Sequence, residues 1–329
     1  MDSHARRGRS GARRVLPTAP VGPLAGRECL GGEAVTEHKI EFRFSENPWA
    51  PTAVIEEVNA RTGSGLVLTG LADQDGGSSS AAFVAWADGR ESAMTRTRTP
   101  LAVMRQTASV LNKVRGQGLP VPEHQLVMEL SDGYVAVVQE RLPGHHVNAL
   151  DETTAASFVA MNNRFAGLLR HDPQVPRPRA FPDVDGVFEN TIGRLGKRGR
   201  RLLARLLEVD GGRPFRMQGD DLVHTDYTPG NVLFDDTGNV TGVVDWNTGT
   251  ARGDRHYALL GLHWGSIGRT TVGPEELKVV ENELAHLTPA TRRSYEAHWM
   301  VDQVHESVLK HFSPERIEAD VARAEKFLG

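Results

Sequence analysis

The chain has 329 residues, of which 39% are hydrophobic and 24% charged, and carries a net charge of −4; this length suggests two domains or lobes with ample sequence for a buried core. No apolar stretch approaches the roughly 18 residues that a membrane helix requires, and no basic stripe points to nucleic acid. The single cysteine, Cys29, excludes an intramolecular disulfide and fits a reducing, cytoplasmic setting.

Residues 1–36 stand apart. The first 34 hold six arginines against Asp2, Glu28 and Glu33, a balance of +3 that leaves −7 for the remainder. Rich in Arg, Gly and Pro and without periodicity, the segment is expected to be disordered. Its apolar part, VLPTAPVGPLAG, is short and broken by proline, unlike a signal peptide. Because Gly31-Gly32-Glu33 can be encoded by a purine-rich ribosome-binding sequence, Val35 is a candidate translation start.

From residue 50 a helix or turn is expected over 51–60, then strands at 66–70 and 81–86, separated by a loop ending in Gly76-Gly77-Ser78-Ser79-Ser80. Backbone N–H groups of such a loop can approach phosphate oxygens, and the hydroxyls of Ser78, Ser79 and Ser80 can add donors. Neither GxxxxGK[ST] nor GxGxxG occurs, which disfavours a P-loop or Rossmann site. Asp88-Gly89 predicts a hairpin turn into a third strand over 91–98. Thr99-Pro100 reads as an N-cap and first turn of a helix to about Arg115, with Val103, Thr107, Val110, Leu111 and Val114 facing inward. Strands over 124–130 and 134–140 follow.

The second half reads as mostly helical. Asp151 is expected to cap a helix to about His171, with Phe158, Met161, Phe165, Leu168 and Leu169 inward, and a second helix runs over about 189–208 with a basic, solvated face. Helices are expected to about residue 265 and over 274–286, 289–311 and 314–328. His298, Asp302 and His305 share a face of the second-last helix, a polar or acceptor-facing stripe more than a metal site.

The most informative stretch is His224-Thr225-Asp226-Tyr227-Thr228-Pro229-Gly230-Asn231. Pro229-Gly230 favours a tight turn that returns the Asp226 carboxylate and the Asn231 carboxamide to one cavity. The apolar runs 231–234 and 240–244 around the turn cluster 235–239 predict a hairpin. Centring its turn between 237 and 238 sets Asn231 opposite Val244, so Asp245 emerges beside Asn231. Two hard oxygen ligands at a hairpin end suit Mg²⁺, and Asp226 is left free to accept a proton. As turn formers alone, the same residues would mark an ordinary surface hairpin.

HTDYTPGN followed by VVDW resembles the aminoglycoside phosphotransferase family and its protein-kinase-like relatives. GLPVP at 118–122 is similar to the family's segment after the N-lobe helix. The resemblance implies an α+β, bilobal kinase-like fold, with an N-lobe over 37–142 and a mainly helical C-lobe over 143–329. It implies Asp226 as catalytic base, Asn231 and Asp245 as Mg²⁺ ligands, and His224 as a structural support of the loop. Gln139-Glu140-Arg141-Leu142 would be the hinge, with the backbone at Glu140 and Leu142 meeting the base of ATP or GTP. Gly253-Asp254-Arg255-His256-Tyr257 resembles the family's Gly-Asp-Pro-x-Tyr, with Ala258 where an Asp is usual.

One departure matters. The third strand of such proteins supplies a Lys that holds nucleotide phosphates and pairs with a Glu on the next helix. Thr95 or Arg96, then Gln106, are the candidates here; Arg96, on the face of Met94 and Arg98, is favoured because a guanidinium can bind phosphate. The C-terminal helices would form the acceptor site. Over 251–329 there are twelve acids against ten bases, so the small-molecule acceptor need not be a polycation. The expected activity is transfer of a γ-phosphoryl group to a hydroxyl of an antibiotic or other secondary metabolite. A catalytically silent pseudokinase and a metabolic kinase for an amino alcohol or sugar are the alternatives.

Overall fold

The computed structural model describes residues 49–329 except 73–80, 179–185 and 265–270, together with the backbone alone at 271–272. The expected tail, its start site and the Ser78–Ser80 loop therefore lie outside the described residues.

Helix α1 (Pro51–Thr62) precedes strands β1 (Val67–Leu71), β2 (Ala82–Ala85) and β3 (Glu91–Thr97), then helix α2 (Leu101–Arg115) and strands β4 (His124–Glu129) and β5 (Val135–Glu140). The five strands form one antiparallel sheet in the order β1-β2-β3-β5-β4. Its two faces are covered differently, because successive side chains of a strand point to opposite sides. Met94, Ala82, Val84, Ala136 and Val138 pack with Val54, Ile55 and Val58 of α1. On the opposite face Val135 and Val137 pack on Met104 of α2. The inner stripe of α2 continues through Val110, Leu111 and Val114 into the core of the C-terminal half. Thr99 does not cap α2: Pro100 is the N-cap residue, without a side-chain bond, and the Thr99 hydroxyl goes elsewhere.

The C-terminal half contains β6 (Ala149–Leu150), α3 (Glu152–Asn163), α4 (Val187–Ile192), α5 (Gly196–Val209), β7 (Asp221–Val223), β8 (Val232–Phe234), β9 (Val240–Val243), β10 (Ala251–Gly253), α6 (His256–His263), β11 (Thr271–Val272), α7 (Pro274–Leu284), α8 (Pro289–Leu309) and α9 (Pro314–Leu328). Asp151 caps α3 as expected, accepting from Thr154 N while the Thr154 hydroxyl accepts from Asp151 N. The helix ends at Asn163, not near His171. Beyond it the backbone bonds outside the helix: Leu222 N donates to Phe165 O and Leu169 N to Asp220 O, which fixes the approach to β7. The single helix expected over 189–208 is two helices. Gly199 of α5 lies so close to α4 that a Cβ there would stand 2.0 Å from Ile192 O, a contact that needs a bend between them. Part of the basic face is paired, Arg198 bridging Glu318 and Glu325 of α9. No helix among the described residues is long and apolar enough to cross a membrane.

One core residue carries a testable cost. His124 on β4 is 8% exposed, and neither ring nitrogen makes a well-formed hydrogen bond among the described residues. Burial pushes its imidazole down to about 4, the adjacent Gln139 offsetting only part of the effect. In the unfolded chain it titrates near 6.5, so on acidification the unfolded state takes up the proton first. The stability held above about pH 6.5 should then fall by about 2–3 kcal/mol on approaching pH 4.5. Urea unfolding of His124→Leu at pH 7 and pH 4.5 should show that part of the acid sensitivity gone; equal acid sensitivity in both proteins would refute the assignment.

Candidate active site

The loop over residues 224–231 is anchored from below by aromatic residues. Tyr227 is buried with its hydroxyl donating to Phe158 O at 2.8 Å, and its ring lies 4.2 Å from that of Phe158. Trp246 is equally buried, donates to Val243 O at 2.9 Å and sits 4.2 Å from the His224 imidazole. Phe165 meets both Tyr227 and Trp246 edge-on. Two large side chains, one beside Asp226 and one beside Asp245, thus sink into a single core and lift the carboxylates between them.

The hairpin has the register that its turn suggests. Val232 pairs with Val243 and Leu233 with Gly242, and a bulge follows before Phe234 pairs with Val240. Val244 N donates to Asn231 O at 2.9 Å, which puts Asn231 across from Val244. Asn231 Nδ2 donates to Asp226 O at 2.8 Å and to Asp226 Oδ2 at 3.1 Å. Asn231 Oδ1 accepts no hydrogen bond among the described residues. His224 is enclosed behind the loop: its Nε2 lies 2.9 Å from Val244 O, and its Nδ1 accepts from Asp226 N at 3.2 Å. These bonds assign the proton to Nε2. Burial holds the imidazole below its ordinary value, against the pull of the Val244 carbonyl and of Asp226 and Asp245, so it is neutral. It ties the loop to β9 without adding charge.

Asp245 adopts a left-handed backbone with φ 60°, uncommon for a residue other than glycine and tolerated by Asp. Burial raises its carboxyl above the ordinary value, and the negative charge of Asp226 raises it further; His224 and the Asn247 amides pull the other way. Two acids that repel one another and a free carboxamide oxygen form a set of hard oxygen donors, and a divalent cation would relieve the repulsion. The chemistry of these donors therefore fits a hard divalent cation such as Mg²⁺.

The nucleotide side differs from expectation at β3. The Arg96 guanidinium bonds Asp132 at 3.1 Å and lies 4.0 Å from the centre of the Tyr134 ring. It is on the α1 face with Met94, away from the catalytic loop. The register that faces the loop holds Thr95, whose hydroxyl donates to Asn247 Oδ1 at 2.9 Å. Gln106 does not meet Arg96 either; its amide donates to Gln174 O at 3.0 Å. At the end of β5 the Glu140 carboxylate is taken by Arg115, at 2.6 and 2.8 Å. Leu142 and Leu233 close around Gly242, where a Cβ would lie 3.1 Å from Leu142 Cδ1 and 3.0 Å from Leu233 Cδ1. Asp254 accepts from His256 and, at 3.2 Å, from the Tyr295 hydroxyl, a support that joins α6 to α8.

The helical stripe of α8 is corrected as well. His298 is buried against Asp210 at 2.7 Å and against the Phe215 ring, and His305 stacks on Phe188. Both are internal. Nearer the loop are Trp299 of α8 and Lys310, which follows the helix. Trp299 Nε1 and Thr228 Cγ2 flank Gly261 of α6. Lys310 bonds Glu306 at 2.8 Å. Burial works against its charge, but Glu306, then Asp226 and Asp302, hold the ammonium above its ordinary value. Asn247, Leu233 and Lys310 carry no signal in the sequence that marks them for the site, and Thr95 is there the less favoured of the two β3 candidates.

Residues 71–298 match the family model described as the phosphotransferase enzyme family. No curated protein gives a significant match. Among solved structures the chain is similar to aminoglycoside phosphotransferase APH(4)-Ia, with 18% identity over 85% of this chain and 98% of that one and a TM-score of 0.61. It is also similar to an aminoglycoside-3'-phosphotransferase of type VIII, with 21% identity, 74% and 96% coverage and a TM-score of 0.54. The third is the macrolide 2'-phosphotransferase MphH of Brachybacterium faecium, with 19% identity, 82% and 97% coverage and a TM-score of 0.50. A variant of APH(4)-Ia is known as a ternary complex with ADP and hygromycin B.

Proposed function

Because the chain belongs to the phosphotransferase enzyme family, we propose that it transfers the γ-phosphoryl group of ATP or GTP to a hydroxyl of a small molecule, an antibiotic or related secondary metabolite. The observation that carries this reading is the convergence of Asp226, Asn231 and Asp245 at the end of one hairpin. Asp226 is the base: it takes the proton of the acceptor hydroxyl, and the Asn231 amide on its Oδ2 fixes the direction in which the other oxygen points. Asp245 and Asn231 Oδ1 hold Mg²⁺, which when bound neutralises charge on the phosphate oxygens. Catalysis in such a site is mainly positioning, and the neutral His224 and the buried Tyr227 and Trp246 supply the rigidity. The backbone at Glu140 and Leu142 meets the base, with Leu142 and Leu233 as its apolar flank. Asp302 and Glu306 of α8 and Lys310 beyond it border the acceptor. Their mixed charge suits a nucleoside, peptide or macrolide antibiotic as well as an aminoglycoside.

One observation favours a second reading, a nucleotide-binding protein without catalysis: Thr95 stands where a phosphate-holding Lys would face the loop. Calorimetric titration of ATP, then GTP, with and without Mg²⁺, separates the two. The phosphotransferase reading expects metal-dependent binding by the wild type, its loss in Asp245→Ala, and phosphate transfer to at least one member of an antibiotic panel. Binding without transfer to any acceptor or to water would favour the silent protein, and no binding of either nucleotide would sink the assignment of the cleft.

A further inference from the structure

Three hydroxyls of the N-terminal sheet converge on one residue of the metal loop. Thr95 Oγ1 donates to Asn247 Oδ1 at 2.9 Å, while Thr97 Oγ1 and Thr99 Oγ1 donate to Asn247 O at 2.8 and 2.6 Å. Thr95 and Thr97 are buried, and being two apart on β3 they share the face turned to the loop. The backbone oxygen of Asn247 thus has both lone pairs occupied, and its side-chain oxygen is engaged as well. Asn247 lies two residues beyond Asp245 on the same loop, so fixing its backbone and side chain limits how that loop can move. A second anchor comes from α2. Thr250 N donates to Thr107 Oγ1 at 3.0 Å, and a Cβ on Gly249, at φ 89°, would stand 2.9 Å from Val103 Cγ1. The loop backbone therefore lies directly against the Val103 and Thr107 side chains of α2, which leave no room for a side chain at position 249.

We infer that Thr95, Thr97 and Thr99 form a hydroxyl clasp on Asn247 that positions Asp245 for its divalent cation and links the N-terminal sheet to the catalytic loop. The inference rests on the phosphotransferase reading and adds what the sheet contributes to it. An ion pair between strand and helix would order the site by charge and also grip phosphate. The clasp orders it by neutral hydrogen bonds alone, and among the described residues of β3 no cation faces the loop. Nucleotide phosphates are then held chiefly through the cation on Asp245, and losing the clasp should weaken the metal before it weakens the nucleotide. The three threonines are positioning residues acting through Asn247.

The test uses Mn²⁺ as a paramagnetic probe, titrated into the full-length protein saturated with ADP or GDP and followed by electron paramagnetic resonance. Thr95→Val, which keeps the shape and removes the hydroxyl, should weaken Mn²⁺ by about 10- to 100-fold, the usual effect of losing a partner behind a metal ligand. Metal-free binding of the nucleotide should be unchanged, and Thr95→Ser should restore wild-type Mn²⁺ affinity. Thr99→Ala, at a less buried site, provides a second variant with a smaller loss in the same direction. Unchanged Mn²⁺ affinity in Thr95→Val and Thr99→Ala, or a Thr95→Ser protein as weak as Thr95→Val, would overturn the clasp while leaving the phosphotransferase reading intact. A wild-type protein that holds no Mn²⁺ with either nucleotide would overturn both.

Discussion

Asp245→Asn should lose phosphate transfer on the order of 10³-fold or more and yet melt at a higher temperature than the wild type in metal-free buffer. The activity loss follows from charge, since the cation contributes several kcal/mol of stabilisation and each 1.4 kcal/mol is a factor of ten. Asparagine is the informative replacement because it too tolerates the left-handed backbone at φ 60°, so the substitution changes charge with little change in strain. The stability gain follows from the same pair of acids. Burial and Asp226 raise the Asp245 carboxyl above its unfolded value, so at neutral pH the folded state carries a charge that it disfavours. Stability of the wild type should therefore rise as pH falls toward the unfolded value near 3.9, and this contribution should be missing from the variant. Melting curves taken with a chelator from pH 7 down to pH 4 should show the gap between the two proteins narrowing on acidification. Adding Mg²⁺ to the ADP-saturated proteins should raise the wild type and leave the variant in place. A variant that melts below the wild type in chelator would mean that Asp245 is a structural residue.

The stability cost at Asp245 and the activity it permits belong to a part of the fold that the sequence discloses well. The hairpin register follows from the turn at 235–239 alone, because two short apolar runs of nearly equal length can pair in few ways, and Asn231 lies across from Val244 despite a bulge further along. Tyr227 and Trp246 are apolar residues beside acids, a local contrast that marks a chain half in the core and half in a cavity. The third strand is different. A period of two separates its residues into two sets, but both faces of the sheet are covered, so neither hydrophobicity nor charge says which set meets the catalytic loop. Arg96 was favoured for sharing a face with Met94, and Met94 faces α1, so the same alternation that groups them turns Arg96 away. The helices after Asp151 and around Gly196 ended early for a related reason. Their ends are fixed by contacts distant in sequence, Phe165 with Leu222 and Gly199 with Ile192, which a helical period does not contain. His298 and His305 resemble a polar stripe only until Asp210, Phe215 and Phe188, from other elements, fill the space beside them.

Asp226→Asn should reduce turnover by about 10²- to 10⁴-fold, the range for loss of a positioned general base, with little change in the affinity for nucleotide and metal. The distinction from Asp245 comes from geometry. Asn231 reaches Asp226 through its amide nitrogen, at 2.8 Å to the carbonyl and 3.1 Å to Oδ2, and keeps its own oxygen for the cation. On the proposed reading Asp226 is thus a partner of a ligand and not required as one. Replacing its carboxylate with a carboxamide should leave the backbone contact at 2.8 Å, and with it the placement of Asn231. The variant should also remove the repulsion that raises Asp245, so Asp245 becomes the stronger acid and metal binding tightens slightly. Mn²⁺ titration in the presence of ADP, beside a single-turnover measurement with whichever acceptor the panel yields, would separate the two roles. Weaker metal with turnover lost in proportion would make Asp226 a ligand; unchanged or tighter metal with turnover lost would make it the base. The Lys310 ammonium, held near by Glu306, Asp302 and Asp226, adds a third readout. With Asp226 neutral it loses one of the three carboxylates that favour its charge, so its titration should move down.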